Sequence, residues 1–323
     1  KTNIIIGTHA LIQDTVEFKD LGFVIIDEQH KFGVMQRAKL KDKGLNPDVL
    51  VMTATPIPRT LSLTYYGDLD ISVIDELPKN RIPIKTYLRK EEDKFKIWDF
   101  VKEKIREGRQ AFIIYPIIDE SEKLDLKSAE EHYKILKDGV FKEYKIGMVH
   151  GRKFWYEIEE TMNDFKAKKI NVLVATTVIE VGLDIPNATI MIIEDAQRYG
   201  LSQLHQLRGR VGRSAEQSYC ILLAKHLDEV SKRRLRTMCE TTDGFKISEV
   251  DMEIRGPGEF FGTRQSGILN FVLTDLNKDR DILDSARKIA FNILEKDPQL
   301  RMDEHKTIKN MLLTSYKDAM YLM

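Results

Sequence analysis

The sequence predicts an α/β protein built on parallel sheets. Short β-branched runs alternate with amphipathic stretches, which indicates βαβ units. The apolar runs are continuous rather than alternating, as expected of strands covered on both faces. One of them, "FVII", passes directly into Asp27 and Glu28. In parallel sheets ligands collect beyond the carboxyl ends of the strands, so these acids stand where a site is expected.

The strand-like runs are "NIIIGT", "FVIIDE", "VLVMTAT", "AFIIYP", "KIGMVH", "NVLVATT", "ATIMIIED" and "SYCILLA", with helical patterns such as residues 91–107 and 156–168 between them. "LPKNRIP", with two prolines and two basic residues, reads as a linker. "TTDG" at 241–244 ends the alternation, and the remainder reads as helical apart from the Gly-rich "RGPGEFFGTRQSG". Three parts follow: 1–78, a short α/β piece with about three strands; 79–242, a complete α/β domain; and 243–323, a helical tail. A strand at residues 3–8 would leave a sheet edge, and an edge invites an edge-paired or swapped dimer.

The chain has 323 residues, enough for two or three cores. Lys plus Arg and Asp plus Glu are both 51, which argues against a wholly basic nucleic-acid binder but leaves room for local basic grooves. Cys220 and Cys239 lie far apart, without metal-ligand spacing, as in a reducing cytoplasm. No apolar run approaches a membrane span.

Asp27 and Glu28 suit magnesium, which takes one or two protein carboxylates beside phosphate oxygens. Asp27 would orient the metal and its waters, Glu28 would polarise the attacking water, and His30 would relay the phosphate state. A solvated acid pair beside a helix N-terminus is the plainer alternative. In "MTATPIPRT", the hydroxyls of Thr53 and Thr55, flanking Ala54, can bridge two sites; a simple turn is the alternative. "TTVIEVGLDIP" places Thr176 and Thr177 after a strand, where hydroxyls and amides meet phosphate. Gly182 permits close backbone approach, and Asp184 can accept from a ribose hydroxyl or an arginine. "QLHQLRGRVGRS" sets Arg208, Arg210 and Arg213 within two helical turns, separated by Gly209 and Gly212. Glycine in a helix costs about 1 kcal/mol relative to alanine, so close approach to another surface is expected, and arginines across a cleft stabilise a transferring phosphoryl group.

Taken together and in order, "DEQH", "TAT", "TTVIEVGLD" and "QLRGRVGR" resemble motifs II, III, V and VI of superfamily 2 helicases, with "GTHALI" and "MVHGR" resembling motifs Ib and IV. "GDLDISVIDELPKNRIPIKT" and "DMEIRGPGEFFGTRQSG" resemble the RecG family of branched-DNA helicases more closely. The transcription-repair coupling factor shares similar motifs, but its acid motif usually ends in glutamine-arginine, and the RecG-like tail argues against an RNA helicase.

The resemblance implies two RecA-like P-loop NTPase domains, the first partial and the second complete, closing over ATP and Mg2+. Asp27, Glu28 and His30 would serve metal and water. Gln206, Arg210 and Arg213 would reach the γ-phosphate, and Gly182 and Asp184 would border the nucleotide. Thr53, Ala54 and Thr55 would couple hydrolysis to movement. Thr8, Gly151, Arg152, Thr176 and Thr177 would face the DNA backbone, while Arg255, Arg264 and Gln265 would belong to the translocation element. The partners implied are forks and Holliday junctions, in bacterial recombination and repair.

Two departures from the family stand out. The loop GxxxxGK[ST], which cradles ATP phosphates, is absent from this sequence, as is the family's wedge domain. The chain is therefore expected to be a C-terminal fragment that does not hydrolyse ATP by itself, with a non-catalytic DNA-binding or partner-binding remnant as the alternative. In "GRKFWYEIEE", Phe154, Trp155 and Tyr156 replace the family's usual polar residues and methionine. A packed helix face is expected of them, with base stacking the alternative.

Overall fold

The computed structural model describes residues 2–28, 43–44, 47–53, 70, 72–74, 76, 81–116, 122–176, 185–255 and 279–315. By contacts the chain divides into two compact units, Lys1–Pro56 and Ile57–Met323.

In the first unit a 3-10 turn at His9–Ile12 precedes strands β1 (Phe23–Ile26) and β2 (Asp48–Val51). The strands pair in parallel, Ile26 opposite Val51. Ile12 and Ile26 form a small core with Val24 and Val49 against it, whereas Phe23, Ile25 and Leu50 on the other pleat are exposed. The expected burial of β1 on both faces is thus corrected: among the described residues one face is covered. The expected strand at residues 3–8 does not form. An extended segment becomes a strand only when a neighbour supplies its backbone partners; among the described residues this sheet has two strands, and Ile4 and Ile6 are 79% and 94% exposed.

The second unit runs β3 (Lys85–Lys90), α1 (Lys94–Arg106), β4 (Gln110–Ile114) and α2 (Glu122–Ile135), which continues through a π-helical turn at Leu136–Val140. Then come β5 (Ile146–Val149), α3 (Trp155–Lys166), β6 (Val172–Ala175), β7 (Ala188–Ile193), α4 (Leu201–Arg208), β8 (Tyr219–Ala224) and α5 (Glu229–Glu240). Helices α6 (Gly244–Arg255), α7 (Arg280–Lys296) and α8 (Lys306–Ser315) complete the described chain. The six strands form one parallel sheet in the order β3-β8-β7-β4-β6-β5.

The continuous apolar runs are explained by this sheet. Phe112, Ile114, Leu173, Met191 and Leu222 face α3, α4, α5 and α6 through Phe165, Leu204, Leu235 and Ile247. Ile113, Val174, Ile190 and Ile192 face α1 and α2 through Val101, Ile105 and Ala129. Helix α1 buries Ile97, Trp98, Val101 and Ile105, one stripe at helical spacing. Acids Glu91–Asp93 precede it and Lys104 and Arg106 close it, each at the end its charge favours. Strand β3 was not among the expected strands. It lies at the sheet edge and alternates half-buried with exposed residues, so it lacks the continuous run that marks the others.

Expectation and structure also part at α3. Phe154, Trp155 and Tyr156 are 67%, 74% and 55% exposed and form no packed face. The packed side of α3 begins one turn later, with Ile158, Met162 and Phe165. The alternation does stop at "TTDG": α5 ends at Glu240 and α6 begins at Gly244, packing on α4 and α5. Cys220 and Cys239 are free. Among the described residues no helix is long and apolar enough to cross a membrane.

Between α7 and α8, the Asp297 carboxylate accepts the backbone N–H groups of Arg301 and Met302 at 2.9 and 2.8 Å. His305 Nδ1 donates to it at 2.9 Å. These donors hold its pKa down to about 2. Its contribution to stability is therefore complete above an unfolded value of about 3.9 and is lost as pH falls through about 2. Asp297→Asn should lower the denaturation midpoint of the helical signal at about pH 6, and the difference should vanish near pH 2. Equal midpoints at the higher pH would contradict the role of this carboxylate.

Candidate functional site

In the first unit, the parallel register brings the ends of β1 and β2 together: Ile26 accepts from the Met52 N–H at 2.8 Å. Asp27 and Glu28 leave one strand end, and Thr53 follows Met52 on the other. Asp27 Oδ1 accepts the Glu28 N–H at 2.8 Å, and Glu28 adopts φ 52°. A left-handed glutamate is a local strain of the kind that collects at functional sites. Both carboxylates carry hard oxygen donors at a strand end, a donor set that fits magnesium. Among the described residues no group of three or more His, Cys, Asp or Glu could hold a metal. Thr8 is exposed and its carbonyl caps the 3-10 turn by accepting from Leu11 N–H. His30, Ala54 and Thr55 lie outside the described residues.

In the second unit, two groups of expected residues are assembled. Strands β5 and β6 pair with Val149 opposite Ala175, so His150, Gly151 and Arg152 emerge beside Thr176. Thr176 is fully buried and its Oγ1 has no partner among the described residues. His150 Nδ1 accepts the Arg152 N–H at 3.3 Å. Burial pushes the His150 pKa down, and the Arg152 and Lys153 charges add to this against Glu130, so the loop is shaped around a neutral imidazole. Thr177, Gly182 and Asp184 lie outside the described residues, as do Arg264 and Gln265.

The second group is α4 and the turn after it. The expectation of a helix running through residues 203–214 is corrected. Helix α4 ends at Arg208, Gly209 is its C-cap, and Gly212 has φ +76°. Gly212 is needed for that backbone and for space, since a Cβ there would meet Ile84 at 2.6 Å. The glycines therefore end the helix rather than weaken it. Arg81 Nε donates to Gly212 O at 2.7 Å and pins the turn.

The three arginines separate sharply. Arg208 is 2% exposed; its Nη1 donates to Met238 O and Thr241 O at 2.8 Å each, and its Nη2 meets His205 Nδ1 at 3.1 Å. Burial, with the Arg208 charge next, pushes His205 down to about 4, so His205 is the neutral acceptor. Arg208 thus ties α4 to the end of α5. Arg210 and Arg213 follow in the turn and Gln206 lies on α4, all three half-exposed; Arg213 Nε donates to Gly209 O at 3.3 Å. Arg255 Nε donates to Asp251 Oδ1 at 3.0 Å, and Ser202 Oγ to Asp251 Oδ2 at 3.2 Å. The guanidinium lies against Gly200 at the start of α4. In this structure Arg255 joins α6 to the helix that carries Gln206.

One cluster escaped the sequence reading. Glu194 and Asp195 follow β7 as Asp27 and Glu28 follow β1, and Asp195 too has positive φ, 46°. They line a cavity with Lys94, Tyr115, His132 and Lys225. The buried Glu194 meets Lys94 at 3.1 Å, and Lys94 also meets Glu91 at 3.0 Å. Burial alone would lower the Lys94 pKa, but the two carboxylates outweigh it and raise it. Burial pushes the Glu194 carboxyl up. The signal was available as acids directly after "TIMII". The chemistry differs from that of Asp27 and Glu28, because this glutamate is neutralised by a lysine.

Three family profiles match: "DEAD/DEAH box helicase" over residues 1–64, "Helicase conserved C-terminal domain" over 94–215, and "ATP-dependent DNA helicase RecG, domain 3, C-terminal" over 241–320. The ATP-dependent DNA helicase RecG of Bacillus subtilis (strain 168) is 51% identical over 313 residues, 97% of this chain and 46% of that protein. Its counterpart in Aquifex aeolicus (strain VF5) is also 51% identical, over 99% of this chain and 41% of that protein. The chain spans less than half the length of these relatives. Among solved structures, RecG bound to a three-way DNA junction superposes with a TM-score of 0.64 at 46% identity, over 86% of this chain and 36% of that one. The Saccharomyces cerevisiae Dbp5 L327V structure, with RNA and ADP BeF3, shares the fold alone, at a TM-score of 0.51 and 15% identity over 87% of this chain and 66% of that one. With half its residues identical to these proteins across nearly its whole length, and with a RecA-like parallel sheet carrying the arginine turn, this chain belongs to the RecG family of ATP-dependent DNA helicases.

Proposed function

We propose that this chain supplies much of the motor of an ATP-driven translocase that acts on branched DNA, regressing forks and migrating Holliday junctions in a bacterial cell. The observation that carries the reading is the near-complete match to RecG, one relative of which has been solved on a three-way DNA junction. By role the chain divides into 1–78, 79–242 and 243–323. Asp27 and Glu28 would hold Mg2+, which supplies charge neutralisation for ATP phosphates. Glu28 polarises the attacking water, and His30 relays the phosphate state. Gln206, Arg210 and Arg213 stabilise charge on the departing phosphoryl group, and Gly182 and Asp184 border the nucleotide. Residues 53–55 couple the two events. Thr8, Gly151, Arg152, Thr176 and Thr177 hold phosphates, which position the protein without reading sequence. Arg255, Arg264 and Gln265 serve translocation, Arg255 through its tie to α4. The absence of GxxxxGK[ST] from this sequence favours a second reading for the chain by itself: it binds DNA without turning over ATP.

The two readings separate in one experiment. ATP hydrolysis with forked DNA is measured on this chain and on a chimera that joins it to the portion of the Bacillus subtilis relative preceding the match. The chimera should be active and this chain inactive. A chimera that binds forks yet never hydrolyses ATP would overturn the motor reading.

In the chimera, Glu28→Gln should abolish turnover while sparing nucleotide binding. Arg213→Ala should slow turnover about 10³-fold or more with little change in thermal stability. Arg208→Ala should do the reverse. It orphans the buried Met238 carbonyl, at about 1–3 kcal/mol, and the half-buried Thr241 carbonyl, so its melting temperature should fall by several degrees, and a melting curve unchanged from wild type would contradict that structural role.

A further inference from the structure

Five charged side chains close a ring at the carboxyl ends of β3, β7 and β8. The buried Glu194 meets Lys94 at 3.1 Å, and Lys94 meets Glu91 at 3.0 Å. Lys225 meets Glu91 at 3.7 Å and Asp195 at 3.4 Å. Glu194 and Asp195 are the two residues by which the chain leaves β7, so the ring begins and ends on that exit. None of its members is among the residues assigned to nucleotide or to DNA.

A buried ion pair is weak evidence for stability, because desolvation offsets its attraction. What it fixes well is direction, because charge-assisted contacts are short and demanding in geometry. Here the direction is that of the connection from β7 to α4. The Glu194 N–H donates to Ile114 O at 2.9 Å, which keeps the residue in the sheet, and Asp195 then turns the chain with φ 46°. The links that follow are bonded one to the next. The Arg198 N–H donates to Asp195 O at 2.9 Å, and the Tyr199 N–H to Ala196 O at 3.2 Å. Tyr199 O accepts from Arg234 Nη1 at 3.1 Å, and the Gly200 N–H donates to Gln203 Oε1 at 3.2 Å. Ala196, Leu201 and Leu204 are fully buried. A shift at the Asp195 turn is therefore not absorbed in a loose loop and passes to α4.

Helix α4 has eight residues, which is about 12 Å of length. A tilt of about 5° at its start moves its far end by about 1 Å, and a misplacement of that size can cost about 10²-fold in rate. Gln206, Arg210 and Arg213 lie at that end. We propose that Glu194, held by Lys94, is a positioning residue for the arginine turn: the ring sets the angle of α4 and thereby the placement of Arg213. Glu194 acts through that arginine and not on the nucleotide. The proposal rests on the assignment of Gln206, Arg210 and Arg213 to the departing phosphoryl group.

The test is ATP hydrolysis with forked DNA in the chimera that carries the preceding portion of the Bacillus subtilis relative. Glu194→Gln keeps the shape of the side chain and removes its charge. Its kcat should fall about tenfold or more, with little change in KM for ATP. Combined with Arg213→Ala, it should be no slower than Arg213→Ala alone, since no arginine is left to misplace. A side chain that only stabilised the fold would instead add its own loss to that of Arg213→Ala, as independent sites do. In this chain by itself, Glu194→Gln should speed amide hydrogen exchange over residues 196–213 and leave β5 and β6 unaltered. Equal kcat for wild type and Glu194→Gln in an active chimera would overturn the role and leave the arginine assignment standing. So would independent losses with exchange that rises throughout the sheet. A wild-type chimera that never hydrolyses ATP would remove the arginine assignment, and this role with it. Should Glu194→Gln not fold, Lys225→Met decides instead. Its side chain is 44% exposed, and it opens the ring at Asp195. A loss of kcat that disappears in the Arg213→Ala background supports the role, and an unchanged kcat overturns it.

Discussion

Every described strand of the larger unit points the same way, and the rest of that unit depends on this constraint. A parallel strand must be reached by a crossover, and crossovers place helices on both faces. Both faces of its inner strands are then covered, and the polar side chains within them, Gln110 and Thr189, are themselves buried. Chemistry is pushed to the carboxyl ends, where His150, Thr176, Glu194 and Lys225 emerge. The two strands of the first unit repeat the arrangement on a smaller scale with Asp27, Glu28 and Thr53.

Strand ends alone do not hold loops in place, and the fold uses buried polar anchors for that. Arg208 satisfies two carbonyls at the end of α5, Asp251 receives Ser202 and Arg255, and Lys94 sits between Glu91 and Glu194. Exposed ion pairs contribute about 0–1 kcal/mol, whereas removing one member of a buried polar set leaves its partners unsatisfied at about 1–3 kcal/mol apiece. Of these anchors Arg208, together with Arg81 on Gly212 O, holds the segment that leads into Arg210 and Arg213. Arg208 and Arg213 illustrate the division: one residue type, five positions apart, is buried on the backbone carbonyls of a neighbouring helix end in one case and half-exposed in the turn in the other.

Five strands of the large sheet were legible because a buried parallel strand writes a continuous apolar run, and burial on both faces is recorded locally. The acids after "FVII" were legible because that run still forms a parallel strand, although only one of its faces is covered among the described residues. Strand β3 was not, because an edge strand is half wet and its pattern dilutes. Residues 3–8 misled in the opposite direction: isoleucines carry strand propensity, but a strand also needs a neighbour's N–H and C=O groups.

The sequence by itself determined the α/β class, the strand directions and the order of the motifs, since these follow from periodicity and from residue types at fixed spacing, and it pointed to the family through the resemblance of those motifs. Only the tertiary structure decided which polar and aromatic side chains are covered. It ended α4 at Arg208 instead of carrying it through the glycines, buried one arginine of three, neutralised Glu194 with a lysine distant in sequence, and left Phe154, Trp155 and Tyr156 in water. Each outcome depends on what a distant segment brings within a few ångströms, an acceptor, a counter-charge or a covering face, and local sequence does not encode that neighbour.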